Sequence, residues 1–156
     1  MKSTSIRDLL DQQPVLEGLE PDDIDLMAGC SRNAVFEAGS FLAREDEAAN
    51  QFFVVREGKV ALELHAPTGP LIIETIGAGE LVGWSWLFPP YRWAYDIEAI
   101  ERTRVIVIES ACLRDKCDAD AAFGYRVMKR FAHVVVDRLQ AARLRLLDLY
   151  GAVDVH

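Results

Sequence analysis

The segment Trp84-Ser85-Trp86-Leu87-Phe88-Pro89-Pro90-Tyr91-Arg92-Trp93-Ala94-Tyr95 holds all three tryptophans of the chain together with one arginine. Indole and phenol rings supply large, stiff apolar area, so this density suits the wall of a pocket or a surface covered by a partner. The plainer use of the same rings is to fill the interior of the fold, since large aromatics gain most by burial. Arg92 adds a permanent positive charge. It reads either as the ligand of an anion held beside the aromatic wall or as a surface residue paired with Asp96 or Glu98.

Other chemistry has few residues to work with. The histidines are His65, His133 and His156, and only His65 falls where the chain reads as strands. A metal-dependent barrel enzyme needs two or three imidazoles and a carboxylate inside the barrel, so no such site can be assembled, and His65 reads as a hairpin end. No Gly-x-Ser-x-Gly or comparable motif surrounds any serine or cysteine. The sequence therefore argues against an enzyme and assigns no catalytic residue, metal ligand or certain cofactor. Cys112 and Cys117 stand five apart in a helical segment, which turns their side chains about 140° apart. Cys30 lies in the turn before the first strand. Buried structural cysteine is the reading for all three, and a thiol activated by Arg114 or Lys116 is the alternative.

A formal charge of -8, from 17 Lys+Arg against 25 Asp+Glu, opposes nucleic-acid binding through net charge. Arg126, Lys129, Arg130, Arg138, Arg143 and Arg145 enrich the last stretch in positive charge, but they spread around a helix and read as a solvated face. At 156 residues the chain is expected to form one domain whose core closes without disulfide or metal. Lys2, Arg7 and Asp8 break any leader-like core at the start. An odd, widely spaced set of cysteines fits a reduced, cytoplasmic protein, and no run approaches the ~18 apolar residues of a membrane span.

These residues need a scaffold. Pro21-Asp22-Asp23-Ile24 opens a short helix that Gly29 stops, with proline in the first turn and aspartates at the positive end of the dipole. From Val35 to Ser110 the pattern changes to short apolar runs, among them Gln51–Arg56, Lys59–Leu64, Leu71–Ile76 and Arg104–Ile108, which predict strands. Glu57-Gly58 reads as a two-residue hairpin turn and Pro67-Thr68-Gly69-Pro70 as the next turn. Many short strands with glycine-rich turns favour an antiparallel barrel or jelly roll. The expected layout is helices over 1–34, a barrel over 35–110 and a hinge with a long helix over 111–151.

That last helix carries two apolar stripes. Tyr125, Met128, Ala132, Val135, Leu139, Ala142, Leu146 and Leu149 recur at three- and four-residue steps, and Gly151 is expected to end the run. Phe123, Val127, Phe131 and Val134 form a second stripe confined to the first half. The short stripe is expected on the barrel. The long one, with Met128, Val135, Leu139, Ala142, Leu146 and Leu149, is expected to form a homodimer seam; one broad core face is the alternative.

Phe36-Glu37-Ala38-Gly39, Leu42, Arg44-Glu45-Asp46 and Phe52-Phe53-Val54-Val55-Arg56-Glu57-Gly58-Lys59-Val60 resemble the front half of a cyclic nucleotide-binding domain. Ile76 to Gly83 is similar to the strand entering that family's phosphate-binding cassette and Ala99 to Ile108 to the strands leaving it, so the resemblance spans roughly residues 14–150. It implies an eight-stranded jelly-roll barrel with flanking helices, and a sensory half of a catabolite-activator-type (Crp/Fnr-like) regulator. With five residues after Gly151, the expectation is a module without the DNA-reading half. The closely spaced cluster cysteines of oxygen-sensing relatives are absent.

In the family, a glycine and glutamate begin a short helix whose N–H groups hold the cyclic phosphate, the glutamate accepts a ribose hydroxyl, and a later arginine meets the phosphate. Gly79-Glu80-Leu81 matches by letter, but Ile76 and Gly79 already fit the preceding strand and turn. The alignment then puts the cassette, within 79–95, at Gly83, with Trp84 in the glutamate position and Trp93 in the arginine position, Arg92 one residue early. An indole donates and cannot accept the hydroxyl proton. Gly83, Trp84, Ser85, Arg92, Trp93 and Ala94 are the candidate ligand residues. Weak or absent binding of cyclic AMP and cyclic GMP is expected, with action through a protein partner. A genuine cyclic-nucleotide regulator using Arg92 and a ligand-free dimeric scaffold remain alternatives.

Overall fold

Ser5 accepts the Asp8 backbone N–H at 3.1 Å and so caps α1 (Ile6–Asp11). A single 3-10 turn, Pro14–Leu16, leads to α2 (Pro21–Ala28), where the Asp23 carboxylate accepts the Glu20 N–H at 3.1 Å and Gly29 ends the helix as the sequence predicts. The computed structural model describes residues 5–153. Eight strands follow: β1 (Ser31–Phe36), β2 (Phe41–Ala43), β3 (Gln51–Glu57), β4 (Lys59–Ala66), β5 (Gly69–Gly77), β6 (Leu81–Val82), β7 (Asp96–Ala99) and β8 (Thr103–Glu109). They form two four-stranded antiparallel sheets, ordered β1-β8-β3-β6 and β2-β7-β4-β5. α3 (Ser110–Ala119) and α4 (Ala121–Val153) complete the chain. This is the expected jelly roll, mainly β with flanking helices.

β3 reads as a continuous apolar run because both of its faces are covered. Phe53 meets Phe36 and Trp93 edge-on and stacked, at 6.0 and 6.1 Å between ring centroids, on the barrel side. Its neighbour Phe52 points the other way, stacked at 4.4 Å on Trp86 and edge-on at 5.8 Å to Phe131 of α4. The short stripe of α4 does what its spacing predicts: Phe123, Val127 and Phe131 are fully buried.

Four expectations need correction. Glu57-Gly58 is no hairpin turn, since β3 and β4 lie in different sheets. The pair is the corner where the chain crosses between sheets, and Gly58 (φ +98°) is required because a Cβ there would stand 2.6 Å from the Arg102 carbonyl oxygen. Cys30 and Cys112 are joined by a disulfide with Cα atoms 5.6 Å apart, leaving Cys117 free. β1 and β8 pair with Ser31 opposite Ile108, which brings Cys30 beside the first turn of α3. Gly151 does not end α4, which runs on to Val153, as a lone glycine costs a helix only about 1 kcal/mol. The basic residues of α4 are not all a solvated face either. Arg126 holds buried Asp23 through two bonds of 2.7 and 2.8 Å, and Arg130 donates to the carbonyls of Val15 and Pro14 at 2.7 and 3.0 Å. These contacts moor the first half of α4 to the N-terminal helices, and Arg126 holds the Asp23 carboxyl below its ordinary range.

Candidate functional site

β5, the turn at Ala78-Gly79 and β6 deliver the chain to Gly83, after which no helix forms. Gly79-Glu80 lies in the turn before β6. The short cassette helix implied by the resemblance is absent among the described residues. From Trp84 to Tyr91 the chain makes two turns, closed by Leu87 N–H to the Trp84 carbonyl and Tyr91 N–H to the Phe88 carbonyl, each at 3.0 Å. The Trp86 indole donates to the Gly83 carbonyl at 3.2 Å, and Pro89 and Pro90 occupy positions where a helix would need N–H donors.

The three tryptophans divide between the two readings. Trp86 is fully buried between Phe52 and Phe131, and Trp93 is 6% exposed against Phe53, so both fill the interior. Gly83 makes room for Trp93: its φ is +107° and a Cβ would lie 2.6 Å from the indole. Trp84 stays half-buried and faces a half-open cavity of about 460 Å³ between β4, β5, β7, the cassette and α4. Gly83, Trp84, Ser85, Trp93 and Ala94 line this cavity, as the sequence reading grouped them, with Phe88, Tyr95, Leu62 and Ile97. Its size and apolar lining suit a small molecule.

Arg92 is not part of it. Its guanidinium is exposed and donates to the Asp46 carbonyl at 2.7 Å, and it makes no ion pair with Asp96 or Glu98. Asp96 is instead occupied by the Glu45 N–H at 2.7 Å, His65 Nε2 at 2.6 Å and Arg44 Nε at 3.7 Å. Beside it, burial together with a hydrogen bond to Glu98 and the charges of Glu98 and Asp96 pushes Glu63 up to about 7, against a smaller opposing effect of His65. His65 sits at the end of the β4–β5 hairpin, as expected.

The cation that does reach the cavity is Arg138 of α4. Sequence reasoning assigned it to a solvated face, yet it is half-buried, lies 5.3 Å from the Trp84 ring centroid and donates to the Leu81 carbonyl. Among the described residues no carboxylate stands within ion-pair distance of it. Burial lowers its pKa, partly offset by the more distant Glu74 and Glu80. Val135 and Leu139, assigned to a dimer seam, also line the cavity from α4. Met128 packs on the core, Ala142 is half-buried, and Leu146 and Leu149 are exposed. On its other side Arg138 borders an open groove of about 490 Å³ whose charges, Arg130 and Arg145 against Glu74, Glu80 and Asp137, alternate.

The thiol alternative loses its partners. Arg114 donates to the Trp86 carbonyl and Lys116 to the Leu26 carbonyl, each at 2.6 Å, while burial pushes the Cys117 thiol up, with Asp118 adding to it. No group of three His, Cys, Asp or Glu side chains among the described residues is arranged to hold a metal.

Residues 34–120 match the sequence profile of the cyclic nucleotide-binding domain. No curated protein matches the chain. Among solved structures, a protein of Geobacter metallireducens GS-15 described as a candidate cyclic nucleotide-binding protein superposes with a TM-score of 0.75 at 24% identity, covering 88% of this chain and 99% of that one. A cyclic nucleotide-binding domain from Methylobacillus flagellatus KT gives 0.77 at 15% identity over 92% and 82%. The catabolite activator protein of Thermus thermophilus gives 0.68 at 23% identity over 88% and 63%. With more than half of its length matched and its jelly roll shared with a catabolite-activator-type regulator, the chain belongs to the cyclic nucleotide-binding domain family.

Proposed function

We propose that this domain is a cytoplasmic, non-enzymatic sensor module that binds cyclic AMP and cyclic GMP weakly or not at all, dimerises through α4 and acts on a protein partner. One observation carries the reading: the positions that would meet ribose and phosphate are Trp84 and Trp93, while Arg92 is turned to the Asp46 carbonyl. Each lost charge-assisted bond is worth about 1.5–3 kcal/mol, so the two together weaken a nucleotide by about 3–6 kcal/mol, or roughly 100-fold to 10,000-fold. Purine stacking on Trp84, worth about 1–3 kcal/mol, offsets part of this and does not replace the ribose acceptor. Loss of the cassette helix removes the N–H cluster as well. Calorimetry with both nucleotides is expected to give dissociation constants above about ten micromolar, and a tighter value for either sinks the reading.

Duplex DNA has no part in this function, because the net charge is -8 and Arg126, Arg130 and Arg138 are engaged by the protein itself. The burial of Trp86 and Trp93 favours, as a second reading, a dimeric scaffold without a ligand. Native mass spectrometry of protein purified without added ligand separates the two, as a retained small molecule excludes the scaffold.

A further inference from the structure

Arg138 stands in an unusual position. A guanidinium keeps its charge in any protein environment, and a charge withdrawn from water normally sits against a carboxylate. Arg138 has a carbonyl, the face of Trp84 and a cavity. Its site thus holds the guanidinium with no carboxylate in ion-pair contact, Glu74 and Glu80 acting on it only from farther off. The cavity's other charged neighbour is Glu74, which lines the same space and would repel a second negative charge. Around these, Trp84, Phe88, Trp93 and Leu139 supply an apolar wall that suits a flat, hydrophobic body.

From this arrangement we infer that the cavity takes an amphipathic monoanion, a flat apolar molecule with a single carboxylate or sulfonate-like head, and that Arg138 on α4 is the residue that binds the head. The inference rests on the reading of this cavity as a ligand site. It moves the charged contact from the cassette to the last helix, so the ligand lies with its apolar body along Trp84 and Trp93 and its head toward α4. Arg138 recognises the head through a charge-assisted bond with those of its N–H groups not given to Leu81. Ligands of two or more charges are disfavoured by Glu74, and neutral ones forgo the Arg138 contact.

Two dyes sharing one body test this. Anilinonaphthalene sulfonate carries one fixed negative charge, and phenylnaphthylamine is the same ring system without it. Both are titrated into the full chain and followed by their own fluorescence and by energy transfer from tryptophan. In Arg138→Gln, which removes the charge and shortens the side chain, the sulfonate dye is expected to weaken about tenfold while the neutral dye changes less than about twofold. Arg138→Lys keeps the charge and is expected to lose only about threefold, and it serves if the glutamine variant fails to fold. Equal effects on both dyes, or no effect of either substitution on the sulfonate dye, overturn the inference. Competition by cyclic AMP is scored separately. Displacement with a dissociation constant below about ten micromolar overturns the proposal of weak nucleotide binding, while the assignment of Arg138 still stands or falls on the dye pair.

Discussion

Trp93 lies where it does because residue 83 has no side chain. At Gly83 the backbone has a φ of +107° and a Cβ would stand 2.6 Å from the indole, whereas Gly39, with a φ of +89°, has open space around it. Gly83→Ala combines conformational strain with overpacking and is expected to cost about 2–4 kcal/mol, lowering the melting temperature by about 5–15 °C. Gly39→Ala carries the strain alone and is expected to cost about 1–2 kcal/mol. Equal thermal shifts for the two would remove Trp93 from the account. Glu63 offers a second test, this time in pH. Its folded pKa is raised from 4.5 to about 7, so its contribution to stability is fully present below about 4.5, is lost as pH rises through about 7, and is absent at 8. Glu63→Gln removes that dependence. The variant is expected to melt several degrees above wild type at pH 8 and to lose that advantage by pH 4, as measured by circular dichroism. A constant offset across this range would show that the carboxyl is not perturbed in the fold.

α4 is longer than the body it packs on. Its 33 residues extend about 50 Å, and the cavity-lining and groove-lining positions end at Arg145. Beyond the moored half, Leu146 and Leu149, 55% and 65% exposed, continue the face of Leu139 and Ala142 as an apolar strip along one side of the helix. A second copy of the same helix would cover it. Leu146→Lys is expected to yield monomers in light scattering at tens of micromolar, since the ammonium would be buried unpaired in the seam. A wild-type protein that is itself monomeric there would end the dimer proposal. Leu139→Lys is a poorer choice, as Leu139 also lines the cavity and its replacement would disturb both functions.

At the scale of the molecule, the Cys30–Cys112 bond ties the turn before β1 to α3 across a separation of 82 residues, so it encloses nearly the whole barrel. A crosslink over such a loop is worth about 2–4 kcal/mol. Cys112→Ser and reduction of the wild type are each expected to lower the melting temperature by about 5–15 °C, and reduction is expected to leave Cys112→Ser unchanged. The crosslink also bears on the cytoplasmic part of the proposal, because disulfides are rare in reducing compartments. Alkylation at lysis decides between them: Cys117 alone labelled speaks for the bond in the cell, and all three cysteines labelled for the reduced state.

What the sequence by itself determined is local in origin. The run lengths and turn residues between Val35 and Ser110 marked the strands, the 3.6-residue period of Phe123, Val127 and Phe131 marked the face of α4 that meets the barrel, and the order of residues from Phe36 to Val60 carried the family. The density of tryptophan between residues 84 and 93 located the cavity wall, and Gly83, Trp84, Ser85, Trp93 and Ala94 do converge there. Only the tertiary structure decided the rest. Glu57-Gly58 became a corner because β3 and β4 join different sheets, and Cys30 met Cys112 because β1 pairs with β8. Arg92, a candidate ligand residue, is turned to the Asp46 carbonyl, and Arg138, expected on a solvated face, lines the cavity. No periodicity could have told Arg138 from the other arginines of α4, since which of them reaches the cavity depends on the angle and offset at which the helix crosses β6, and those are set by Phe131 packing on Phe52 and by Arg126 on Asp23, contacts between residues far apart in the chain.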